Sequence, residues 1–211
     1  MTAVRRVLCF GDSNTWGYDP ASGGRFPREV RWTGVLARAL GPGFEVIEEG
    51  LNGRTTVRDD PLEAHRNGMT YLLPCLESHA PLDLVVVMLG TNDLKARFGV
   101  SPSEVAEGAG ELVEVVSSSA AGPDGTAPRV LLVAPPPVRP LGELDGMFAG
   151  AAVKSRDLAA RFARVAAARH CPCFDAGTVA TVGRLDGLHL EAEAHGALGL
   201  ALAVEVRALL G

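Results

Sequence analysis

Ser13, Gly53, Asn92, Asp186 and His189 are the residues whose types and spacing could together do chemistry. A serine hydroxyl is a weak nucleophile near neutral pH and needs a base within hydrogen-bond reach. Histidine suits that task because its pKa lies close to the working pH. An aspartate three residues ahead of the histidine, in a turn, can accept from the other ring nitrogen and fix the useful tautomer. The stretch Asp186-Gly187-Leu188-His189 has that form. The anionic tetrahedral intermediate of acyl transfer then requires preorganised donors. The backbone amides of Ser13 and Gly53 and the side-chain amide of Asn92 would supply them.

For these residues to meet, each must follow a strand onto one edge of a sheet. Val7-Leu8-Cys9-Phe10 is short and apolar, as a buried parallel strand must be, and it ends at Gly11-Asp12-Ser13. Phe44 to Glu48 reads as a second strand, followed by a loop in which Gly50 and Gly53 permit unusual backbone angles. Asp83 to Leu89 is apolar on both faces and runs into Gly90-Thr91-Asn92-Asp93. Arg129 to Ala134 is closed by three prolines, which cannot continue a ladder, and Pro172 to Phe174 is a fifth short strand ahead of a loop over 175–190. Helical spacing covers 32–40, 69–78 (with Pro74 limiting its regularity), 148–169 and 191–210. The 101–118 helix opens on Ser101-Pro102-Ser103-Glu104, a serine cap, a proline at the first position and a glutamate three residues after the cap. Strand and helix alternate without repeat or linker. That predicts an α/β chain of three layers, α/β/α, around a flavodoxin-like parallel sheet of five strands in the order 2-1-3-4-5, as one domain over 1–211.

Composition narrows the function. The chain has 211 residues and a net charge of -5 with no basic stripe, which argues against nucleic acid as a partner. Arg5 and Arg6 precede only four apolar residues before Gly11, too few for a signal peptide, and no run approaches membrane-spanning length. Cys9 and Cys173 lie in strand-like runs and Cys75 in a helix-like one, so the cysteines read as reduced thiols of a cytoplasmic protein. His170-Cys171-Pro172-Cys173 lacks a second pair at zinc-finger spacing, so neither metal nor cofactor is expected. Gly-x-Gly-x-x-Gly after a strand and a phosphate-binding lysine loop are both missing, which weighs against a non-catalytic flavodoxin-like binding module. The lack of Gly-x-Ser-x-Gly argues against an α/β-hydrolase lipase.

Gly11-Asp12-Ser13, Gly53 within Asn52-Gly53-Arg54-Thr55, Gly90-Thr91-Asn92-Asp93 and Asp186-Gly187-Leu188-His189 occur in that order, and the chain resembles the SGNH, or GDSL, hydrolase family on them. The resemblance implies Ser13 as nucleophile, His189 as general base, Asp186 as its orienter, and Ser13, Gly53 and Asn92 as the oxyanion hole. Arg31 to Leu36, Phe44 to Leu51, Met88 to Asp93 and Trp16 are similar to the small bacterial arylesterases that also act as acyltransferases or perhydrolases. That branch can carry alanine where this chain has Gly53, and has more aromatic residues in the loop that here reads Val138 to Met147. The resemblance implies a serine esterase for small acyl esters, with water, alcohol or peroxide as acceptor, and assembly as a homo-oligomer. A carbohydrate O-acetyl deacetylase is the alternative within the family. Trp16, Phe148 and Phe174 are expected to line an acyl or alcohol pocket, with Met147 a further candidate. Asp12 and Asp93 are expected to brace their loops, and Lys95 and Arg97 to be solvated surface charge, with a place at the border of the site, biasing the substrate, as the alternative.

Overall fold

Five parallel strands carry the molecule in the computed structural model, which describes residues 4–140 and 142–211. Met1, Thr2 and Ala3 of the N-terminal reading, and Leu141 of the 138–147 loop, lie outside the described residues. The strands are β1 (Arg5–Gly11), β2 (Phe44–Gly50), β3 (Leu84–Met88), β4 (Arg129–Ala134) and β5 (Cys173–Asp175). They are ordered β2-β1-β3-β4-β5 with every neighbouring pair parallel, the order anticipated from the sequence. The helices are α1 (Ser13–Trp16), α2 (Trp32–Leu40), α3 (Gly68–His79), α4 (Pro102–Ser117), α5 (Ala151–Lys154), α6 (Leu158–Ala168) and α7 (Ala192–Leu210).

The apolar runs have a direct structural cause. Successive strand side chains point to opposite faces, and here both faces are covered. Val85 and Val87 of β3 enter one core with Leu72, Leu76, Leu112 and Phe162 from α3, α4 and α6. Leu84, Val86 and Met88 enter the other with Trp32, Leu36, Leu198 and Leu202 from α2 and α7. All five residues of β3 are buried, at about 1.5–3 kcal/mol of transfer free energy for each large side chain.

Local signals work as their chemistry requires. At α4, Ser101 Oγ accepts from the Glu104 backbone N–H at 3.3 Å, and Glu104 Oε2 accepts from the Ser101 N–H at 2.8 Å. α3 runs through Pro74. The single helix expected over 148–169 is instead two, separated by a tighter turn over Ser155–Asp157. Ser155 is buried at the break, and its Oγ accepts from the Val138 N–H at 3.1 Å, so a loop-to-helix contact competes with regular helix there. The four cysteines are free; Cys9 and Cys75 are buried, whereas Cys173 is exposed because β5 is a three-residue edge strand. Among the described residues no helix is long and apolar enough to cross a membrane.

Gly50 shows how tightly the carboxyl edge is built. A Cβ there would fall on the backbone N and Cα of Trp16, so only a glycine lets α1 rest on the end of β2. The need is for space, not for an unusual angle. Gly50→Ala should therefore destabilise the chain by about 1–3 kcal/mol, read as a lower urea midpoint. An unchanged midpoint would show that α1 is free to move off the strand.

Candidate active site

Ser13 is the first residue of α1, directly beyond β1. Asp12 caps that turn: its carboxylate accepts from the Asn14 N–H at 2.9 Å, and its carbonyl accepts from Thr15 and Trp16 at 3.1 and 2.8 Å. Ser13 Oγ lies 2.9 Å from His189 Nε2, and His189 Nδ1 lies 2.5 Å from Asp186 Oδ2. The other carboxylate oxygen of Asp186 accepts from the N–H groups of Leu188 and His189 at 2.9 and 3.0 Å. Burial alone would push the Asp186 carboxyl up. The hydrogen bonds from the His189 ring and from the two backbone amides outweigh it and hold the group at about 2. Asp186 is thus ionised at neutral pH and turns the Nδ1 proton toward itself, leaving the Nε2 lone pair for Ser13.

Two contacts that the sequence reading missed hold this pair in register. Asn14 Oδ1 accepts from the Leu190 N–H at 2.9 Å, and Asn14 Nδ2 donates to the Leu188 carbonyl at 3.4 Å, so the residue after the serine brackets the histidine on both sides. The Tyr18 ring lies over the His189 ring, with centroids 4.3 Å apart. Neither contact leaves a sequence signal, because each partner is more than 170 residues away.

Gly53 and Asn92 arrive from the loops after β2 and β3. Gly53 has φ +78°, a left-handed conformation that glycine adopts without strain. The backbone N–H groups of Ser13 and Gly53 form no hydrogen bond within the described residues. Asn92 Nδ2 donates to the Arg54 carbonyl at 3.1 Å and reaches Asp12 Oδ2 at 3.5 Å. Arg54 in turn is buried; its guanidinium donates to the carbonyls of Gly11 and Glu49 and stands 4.2 Å from the Phe10 ring centroid. It ties the ends of β1 and β2 to the loop that presents Gly53. Asp93 accepts from Thr56 N–H at 3.0 Å and from Thr56 Oγ1 at 2.6 Å, the bracing role its type suggested.

A cavity of about 170 Å³ opens on Ser13 and His189. Gly53, Asn92, Leu144, Met147, Phe148 and Leu188 form its walls, together with Tyr18, Glu63 and Lys95. Of the three aromatic residues expected at a pocket, Phe148 is in this wall. Trp16 is not in the wall: its ring lies under the Arg25 guanidinium, 5.1 Å away. Phe174 packs against the core shared with α2 and α7, on the other side of the sheet. Lys95 departs from the expected solvated charge. It is buried, and its ammonium bonds to Asp60 Oδ2 at 3.0 Å and Glu63 Oε1 at 2.8 Å. Arg97 joins the same two carboxylates at 2.7 and 3.0 Å.

Residues 9–197 match the GDSL-like Lipase/Acylhydrolase family, and the chain belongs to that family. Within it the fold is very similar to that of the native aryl esterase of M. smegmatis, with 48% identity and a TM-score of 0.94 over 98% of this chain and 100% of that one. Est24, a carbohydrate acetylesterase from Sinorhizobium meliloti, superposes with the same TM-score of 0.94 at 47% identity, again over 98% and 100%. The lipase/acylhydrolase from Enterococcus faecalis shares the fold at 21% identity, with a TM-score of 0.68 over 97% of this chain and 96% of that one. No curated protein gives a significant match.

Asp12 stores an electrostatic cost beside the serine. Burial pushes its carboxyl from the ordinary 3.8 to about 6, against the lowering effects of the Asn14 N–H, His189 and Arg54. A carboxyl whose pKa is raised on folding favours the fold most below its unfolded pKa, and that stability is lost as pH rises through the folded value. Asp12→Asn keeps a capping oxygen and removes the titration. Relative to wild type, the variant should gain on the order of 3 kcal/mol between about pH 4 and pH 6 and stay level above. Urea unfolding of both proteins across pH 4–7 measures this, and a pH-independent difference would contradict it.

Proposed function

We propose that this chain hydrolyses small acyl esters through an acyl-enzyme on Ser13. The observation that carries the reading is the continuous hydrogen-bonded series Asp186–His189–Ser13, 2.5 and 2.9 Å, opening on a cavity of about 170 Å³. As Ser13 Oγ attacks the acyl carbonyl, its proton passes to His189 Nε2, and Asp186 stabilises the imidazolium that forms. The carbonyl π electrons move to oxygen, where the N–H groups of Ser13 and Gly53 and the amide of Asn92 meet the charge. Asn92 contributes by turning its longer bond, the one to Asp12, toward the oxyanion. Collapse expels the alcohol or phenol, which takes the proton from His189. Water then repeats the sequence, giving the acid and restoring Ser13.

The cavity size favours a short acyl group. It holds about six waters' worth of space, well below the 300–1,000 Å³ usual for larger ligands. The likeness to an aryl esterase and to a carbohydrate acetylesterase supports short-chain esters, and acetyl esters of sugars are the second reading on the strength of Est24. Acyl transfer to an alcohol belongs to the same mechanism, with the apolar wall of Leu144, Met147 and Phe148 favouring an organic acceptor over water.

Hydrolysis of p-nitrophenyl acetate tests the assignment. Ser13→Ala and His189→Ala should each lose at least about a thousandfold in kcat, and Asn92→Ala about a hundred to a thousandfold. Full activity in Ser13→Ala would end the serine-hydrolase reading. In buffer containing a primary alcohol, the product mixture should hold alkyl ester alongside free acid; acid alone would remove transfer from the proposal.

A further inference from the structure

Glu49, Cys75 and His79 take no part in the chemistry around Ser13, yet Glu49 Oε1, Cys75 Sγ and His79 Nε2 lie within 4.8 Å of one another. Cys75 and His79 are four residues apart on α3 and so project from one face on successive turns. Glu49 meets them from the end of β2. Its Oε1 lies 2.9 Å from His79 Nε2, and its Oε2 accepts from the Tyr71 hydroxyl at 3.2 Å, Tyr71 being one turn before Cys75 on the same face. Cys75 is buried while Glu49 and His79 are half-buried, so the thiol anchors the group inside and the other two reach solvent. A cavity of about 460 Å³ lined by Glu49, Arg54, Thr70 and Tyr71 borders the group on the Glu49 side. The Arg54 guanidinium is directed at the carbonyls of Gly11 and Glu49 rather than at the Glu49 carboxylate.

We propose that Glu49, Cys75 and His79 form a binding site for a divalent transition-metal ion of the zinc class. One thiolate, one imidazole and one carboxylate make a borderline-soft donor set, which suits zinc or cobalt and not the all-oxygen preference of magnesium or calcium. Three protein ligands leave a fourth tetrahedral position, open to water or to the Tyr71 hydroxyl. Ligand atoms around a tetrahedral zinc stand roughly 3.5 Å apart, so the group needs shifts of about 1 Å to close on an ion. On binding, the Cys75 thiol releases its proton to solvent as the metal–sulfur bond forms. His79 Nε2, which donates to the Glu49 carboxylate in the free site, gives up its proton to solvent, the ring carrying its remaining proton on Nδ1, and the two residues exchange their mutual hydrogen bond for bonds to the ion. No electron changes hands. The site is independent of the esterase reading, although Glu49 lies four residues before Gly53, so the ion would clamp the approach to that loop.

Titration of the whole chain with Co²⁺ tests the site, through the thiolate-to-cobalt charge-transfer absorption and the intense d–d bands of tetrahedral cobalt. Cys171 and Cys173 are the more accessible thiols, so the Cys171→Ser/Cys173→Ser double variant is titrated in parallel. Wild type and this double variant should each bind one equivalent with the thiolate band, and Zn²⁺ should displace it. Cys75→Ser should lose the band, and His79→Ala should weaken binding by at least about tenfold. A wild type without the band, or a band that survives Cys75→Ser, would overturn the proposal. Should Cys75→Ser fail to fold, unchanged Co²⁺ affinity in His79→Ala, whose side chain is partly exposed, would overturn it equally.

Discussion

A single 2.9 Å contact, Ser13 Oγ to His189 Nε2, joins two residues 176 positions apart, and much of the carboxyl edge of the sheet serves to keep it. Neither side chain belongs to a long element. Ser13 starts a one-turn helix, and His189 sits in a loop before α7. Their register therefore depends on neighbours: Asp12 sets the turn, Asn14 grips the loop on either side of the histidine, and Asp186 fixes the ring. Below them the sheet supplies stiffness. The central strands β1, β3 and β4 are buried on both faces, and a close-packed interior resists the small displacements that would separate Ser13 from His189.

The second constraint is electrostatic. Asp12, Arg54, Asp93 and Lys95 are all buried near the site, and an ionised group inside a protein is costly unless paired or hydrogen-bonded. Arg54 spends its donors on strand-end carbonyls, Asp93 is satisfied by Thr56, and Lys95 by Asp60 and Glu63. Asp12 is the least compensated of these. Its carboxyl approaches the Asn92 amide and is lowered by the nearby His189 and Arg54, but not enough to offset burial. Fixed charges of this kind act strongly because little water reaches them.

The sheet order and the four loops that converge were legible in the sequence because both follow from local rules. Buried parallel strands must be apolar throughout, and the residues after them must lie on one edge. What was not legible depends on partners far along the chain. Asn14 and Tyr18 look like ordinary loop residues until the histidine loop arrives. Lys95 looks like a surface charge because its type usually is one; only the folding of Asp60 and Glu63 over it makes burial tolerable. Trp16 follows the serine in sequence, but one helical turn rotates its ring away toward Arg25. The break at Ser155 has the same origin, since helical periodicity carries no information about the Val138 amide that draws its hydroxyl aside.

The wide sequence separation of Ser13 and His189 also orders events in time. During synthesis at about 5–20 residues per second, the serine leaves the ribosome roughly ten to thirty seconds before the histidine it contacts. Throughout that interval the Ser13 hydroxyl is without its His189 partner. The contact between them forms only once the loop before α7 has closed over the first turn of helix.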